Sequence, residues 1–144
     1  DTMNKQLIDS SYLNDVMIKY IVLKDALVNS DTKAAHQASN ILLKSIRNTE
    51  ELKDVSALKA LETTTQNFIK AETLAQQRSA FVGLSKNLIK ISKGFSSQNT
   101  TYYIQECPMA NNNNGAQWLA LEMGIKNPYF GEAMLDCGSV IGRL

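Results

Sequence analysis

The chain is poor in the residues that most often carry chemistry. It has one histidine, two cysteines, two prolines and one tryptophan in 144 residues. A lone histidine leaves little for metal binding or for general acid–base work. The HExxH, GxSxG and phosphate-binding glycine-loop patterns do not occur, and the carboxylates are scattered. Net charge is only +1, whereas nucleic-acid binders usually carry a strong basic excess. No run approaches the ~20 apolar residues of a membrane span, and no basic segment followed by an apolar stretch opens the chain. These absences argue against an enzyme, a nucleic-acid binder and a membrane-spanning chain. Any signal peptide is expected to have been removed already, and a bundle complete from Asp1 points to a stand-alone mature domain.

What is present divides near residue 95. In the first part, apolar residues recur at steps of three and four, the period of one helix face. Ile8, Tyr12, Leu13, Val16, Tyr20, Leu23 and Leu27 predict a first helix over roughly residues 5–29. Ser30-Asp31 offers an N-cap for a second, carrying Ala34, Ala35, Ala38, Ile41, Leu42 and Ile46 inward. A third, from about Asp54, turns Val55, Leu58, Leu61, Thr65, Phe68 and Ile69 inward. The fourth has the cleanest pattern: Leu74, Gln77, Phe81, Leu84, Leu88, Ile91 and Phe95, with Gly94 marking its end. His36 falls away from the apolar stripe of the second helix and is expected to face solvent.

The tail concentrates the rare residues. Both cysteines, the tryptophan, both prolines, three of the five methionines and four of the seven glycines lie between Cys107 and Gly138. Thr100 to Ile104 reads as a short extended piece. Asn111 to Gly115 reads as a loop, since asparagine and glycine tolerate left-handed conformations. Ala116 to Met123 predicts two helical turns, and Asn127-Pro128 a second short helix running through Leu135. The expected fold is therefore all-α: a four-helix antiparallel bundle (residues 1–95) with a C-terminal irregular segment carrying two short helices (residues 96–144), all in one domain.

The tail motifs are Cys107-Pro108-Met109-Ala110, Gly115-Ala116-x-Trp118-Leu119, Ile125-x-Asn127-Pro128-Tyr129-Phe130-Gly131 and Met134-Leu135-x-Cys137-Gly138. Upstream stand Gln77-Arg78-x-x-Phe81-x-x-Leu84-Ser85 and, more weakly, Asp25-Ala26-Leu27. Together they resemble the DUF3347 family of bacterial proteins of unknown function, over nearly the whole chain. Members resemble the C-terminal domain of copper/silver efflux adaptors, the periplasmic membrane-fusion proteins; others stand alone as periplasmic or secreted proteins. The resemblance thus implies an extracytoplasmic location and a metal-efflux or envelope protein as partner. Four consecutive asparagines, Asn111 to Asn114, replace a lysine- and glycine-containing loop of the family pattern.

Two readings of the sulfur residues stand side by side. Cys107 and Met109 flank a proline, while Met134 and Cys137 lie three apart, on one face of a helical turn. If the segments meet, two thiols and two thioethers converge, and soft sulfur ligands select Cu(I) or Ag(I). The other reading is a Cys107–Cys137 disulfide with both methionines in the core, usual for an extracytoplasmic protein. Closing that loop stabilises the fold by roughly 3.5–4 kcal/mol in the chain-entropy model. Free structural thiols are the remaining possibility. Trp118, Asn127, Pro128, Tyr129, Phe130 and Arg78 are expected to be structural anchors. The functional expectation is non-enzymatic: a soft-metal-binding module connected with efflux, or a disulfide-stapled domain that docks on another envelope protein.

Overall fold

The computed structural model describes residues 10–49, 55–93 and 100–144. Four helices form where the apolar periodicity places them: α1 Ser10–Val28, α2 Thr32–Ile46, α3 Ser56–Ile69 and α4 Leu74–Ser92. They pair as two helical hairpins, α1 with α2 and α3 with α4. Ile8, Gly94 and Phe95, assigned to helix faces and ends from the sequence, lie outside the described residues. Ile41, expected inward, is instead 51% exposed, because Ala38 and Leu42 already fill the inner face of α2.

The turns follow local chemistry. Ser30 takes a left-handed conformation (φ 55°) after α1, and the Asp31 N–H returns to the Ala26 carbonyl at 2.9 Å, the pattern of a Schellman-type helix end. Asp31 then caps α2 through the Ala34 N–H. Thr73 and Gln76 form a reciprocal capping box at the start of α4.

The tail overturns the all-α expectation. It forms a three-stranded antiparallel sheet, β1 Tyr103–Cys107, β2 Ala116–Ala120 and β3 Ser139–Arg143, in the order β2-β1-β3. The class is α+β. Ala116 to Ala120 has good helix formers, yet all five residues pair with β1, from Cys107↔Ala116 to Tyr103↔Ala120. Long-range pairing and burial override a weak local preference. Of the second expected helix only a 3-10 turn survives, Gly131–Met134. Asn127 does act as a cap: its Oδ1 accepts from the N–H groups of Tyr129 (2.7 Å) and Phe130 (3.1 Å). A right-handed helix cannot continue from it, because Gly131 sits at φ +56°.

The sheet packs on α4 and α1 chiefly through β2. Trp118 is fully buried beside Tyr129, and Phe81 of α4 lies between Tyr129 (5.6 Å) and Tyr20 of α1 (5.2 Å). The outer edge of β2 is closed by a side chain. The Leu119 N–H donates to the Tyr20 hydroxyl at 3.2 Å, and that hydroxyl shares a 2.7 Å hydrogen bond with Ser85 of α4. One tyrosine therefore ties α1, α4 and the sheet edge together and satisfies a backbone amide that would otherwise be an orphan.

Candidate functional site

Two features stand out where the tail meets the helices: a pair of thiols and a half-buried arginine. Cys107 ends β1 and is buried; Cys137 is half-buried in the segment leading into β3. Their sulfurs lie 2.6 Å apart. The Cys137 backbone is held by its carbonyl, which accepts from Asn127 Nδ2 at 2.8 Å. Gly138 (φ +139°) follows immediately, and a Cβ there would lie 2.7 Å from the Glu106 carbonyl oxygen. Only glycine lets the chain approach β1 closely enough to bring the two sulfurs together. The hydrogen bond to Cys107 pushes the Cys137 thiol above its ordinary pKa, with burial and the charge of a Cys107 thiolate adding to it and the Met109 N–H opposing it.

This geometry bears on the metal reading. Two thiolates on one ion, each about 2.3 Å from it, sit roughly 3.8 Å apart in tetrahedral geometry. At 2.6 Å the sulfurs are too close to share an ion without separating. Among the described residues no three His, Cys, Asp or Glu side chains converge as metal ligands would. Met109 is 48% exposed and lines a surface groove with Arg78, and Met134 is half-buried in the 3-10 turn. His36 is exposed on α2.

Arg78 is the polar hinge of the tail. Its Nε donates to the Pro128 carbonyl (2.8 Å), and its Nη2 to the Leu27 carbonyl (2.8 Å) and Ser30 Oγ (3.1 Å). Gly131 passes directly over this cluster; a Cβ there would lie 2.8 Å from both Arg78 Nη2 and Ser30 Oγ. Burial lowers the arginine's pKa from its ordinary value. Trp118 donates Nε1–H to Gln105 Oε1 at 2.8 Å, and Gln105 Nε2 donates to the Glu122 carbonyl at 2.8 Å. The Tyr129 hydroxyl reaches the Gln117 carbonyl at 2.8 Å.

Three contributors escaped the sequence reading. The extended piece read from the sequence ends at Ile104, one residue short of Gln105, and Tyr20 looked like one more apolar helix position. Lys24 is 1% exposed and pairs with Asp25 (2.8 Å) and, from the segment after β2, Glu122 (3.9 Å). Its position four after Tyr20 and three before Leu27 was the available signal, since that places it on the inner face of α1.

Helical hairpins closed by a small antiparallel sheet and a sulfur pair make an α+β domain whose tail is anchored at a few polar points. The chain belongs to the DUF3347 family, a family of proteins of unknown function, whose model matches residues 16–100. That match begins within α1, runs through α4 and stops before β1, so the Cys- and Trp-containing motifs lie outside it. No curated protein and no solved structure matches the chain. These comparisons show no likeness to efflux adaptors. No described helix is long and apolar enough to cross a membrane.

Proposed function

We propose that this is a non-catalytic, extracytoplasmic docking domain whose tail is locked by a Cys107–Cys137 disulfide. The observation that carries the reading is the 2.6 Å approach of the two sulfurs, within reach of a covalent S–S bond of about 2.05 Å. The bond would join the end of β1 to the entrance of β3 and hold closed the loop that contains β2, Asn127 and Arg78's partner Pro128. An oxidising compartment is where such a bond persists. The partner would be an envelope protein, and the tail motifs' likeness to efflux adaptors makes a metal-efflux assembly the first place to look.

The test is intact mass with and without reductant, followed by competition of the reduced protein for Cu(I) against a chromophoric chelator. A two-dalton deficit removed by reductant is expected, together with a loss of stability on reduction approaching the chain-entropy value of about 3.7 kcal/mol. Free thiols in aerobically purified protein would overturn the disulfide. Tight Cu(I) uptake lost on Cys107→Ser or Met109→Leu would instead make the domain a soft-metal module.

A further inference from the structure

Between the N-terminal half of α4 and the loop after β1 lies an open groove of about 620 Å³. Leu74, Val82, Met109, Tyr129 and Phe130 supply its apolar wall, and among the described residues Arg78 is the one charged residue lining it. Among the described residues no acid pairs with that charge. The hydrogen bonds of Arg78 go to two carbonyls and a hydroxyl, and it forms no ion pair among the described residues. Its Nη1, with two N–H groups, donates to no described residue and is not enclosed. The guanidinium is thus held rigidly by Nε and Nη2, while its free edge and its full charge remain unanswered.

Those features define a complement. A fixed guanidinium with a free edge recognises carboxylate oxygens. Partial burial strengthens that interaction: it strips water from the cation, which lowers the arginine's pKa, and no described carboxylate offsets it. Arginine, methionine and aromatic side chains are also the types enriched where proteins bind one another. We propose that this groove docks a segment of a partner protein that carries a glutamate or aspartate beside an apolar side chain. The carboxylate bonds Arg78 Nη1, and the apolar side chain lies against Met109 and Phe130. This inference rests on the docking role proposed above and names the surface that performs it.

The probe is a terminally blocked acetyl-Leu-Glu-Phe-amide peptide, compared with its glutamine analogue, by NMR amide-shift mapping on the full chain. The acid is expected to shift the amides of Ala75, Ser79 and Met109 to Asn112 and to bind about tenfold tighter than the glutamine analogue, an advantage that salt erodes. Arg78 also holds the tail, so the decisive variant is Ser79→Glu on the exposed groove wall. It keeps the fold, checked by circular dichroism, and loses the preference for acid because its own carboxylate answers Arg78. Equal binding of the two peptides, no binding of either, shifts mapping elsewhere, or an unchanged preference in Ser79→Glu would each overturn the proposal. So would concentration-dependent self-association that shifts the same amides without peptide, which gives the groove to a second copy. Running the titration on oxidised and reduced protein, each checked by mass, separates failure of the groove from failure of the disulfide.

Discussion

Arg78 and Pro128 are fifty residues apart in sequence and joined by a 2.8 Å hydrogen bond from the guanidinium Nε to the prolyl carbonyl. The same guanidinium holds the end of α1 through Leu27. One side chain from the family-matched helical span therefore decides where the tail lies, and Gly131 must cross it without a side chain.

Gly131→Ala is expected to destabilise the protein by roughly 2–4 kcal/mol in chemical denaturation, since it combines a left-handed backbone with a collision against Arg78 and Ser30. Gly124→Ala is the control. Nothing lies within 4 Å of its added Cβ, so its change should stay within about 0.5 kcal/mol.

Tyr20→Phe removes the acceptor for the Leu119 N–H and leaves that buried amide without a partner. A loss of about 1–3 kcal/mol is expected. Ser85→Ala should cost less, because the tyrosine hydroxyl still receives the amide. The two losses should be non-additive in a double-mutant cycle.

Gln105→Met takes the acceptor from the Trp118 indole N–H and the donor from the Glu122 carbonyl. Trp118 is the single tryptophan, so fluorescence reports on this site alone. A lowered unfolding midpoint and a red-shifted native emission are expected, with a cost of about 1–3 kcal/mol.

Alkali should unfold the protein through its tyrosines. Burial first, then Asp15 and Glu62, pushes Tyr12 up to about 12, and burial raises Tyr20, Tyr102 and Tyr129 as well. The unfolded chain ionises near the ordinary value of about 10, so it releases protons first. The stability these hydroxyls supply is complete below pH ~10 and declines as pH rises from there through ~12. Denaturation midpoints at stepped pH, read with tyrosinate absorbance, check it; a flat profile across that window would contradict the burial of these rings.

Cys137 offers a second pH test, on reduced protein. Its raised pKa means that fewer thiolates are present at any given pH than an ordinary cysteine would have. Alkylation followed by peptide mapping should give a rate profile displaced to higher pH. A profile matching a free peptide cysteine would show that Cys107 does not hold it.

The helical part was legible because its information is local. Steps of three and four located all four helices, and Ser30-Asp31 marked the α1–α2 junction by capping chemistry that involves only neighbouring residues. The loop Asn111 to Gly115 was legible for the same reason, and the structure puts Asn111, Asn112, Asn113 and Gly115 at positive φ. The sheet was not. Ala116 to Ala120 carries helix-forming residues, and nothing within those five positions reports that β1 lies beside them. β3 is equally silent: Ser139 to Arg143 is largely exposed along its length, so no apolar alternation announces a strand.

The sequence by itself determined the helices, the α1–α2 turn, the exposed His36 and membership of a family matched over residues 16–100. Each of these follows from spacing or from contacts a few residues apart. Only the tertiary structure decided that the tail is a sheet, that Lys24 and Gln105 are interior, that Cys107 and Cys137 touch, and that Arg78 faces a groove lined by no acid among the described residues. Those outcomes depend on which distant segments become neighbours, and pairing, burial and electrostatics between distant segments leave no local periodicity to read.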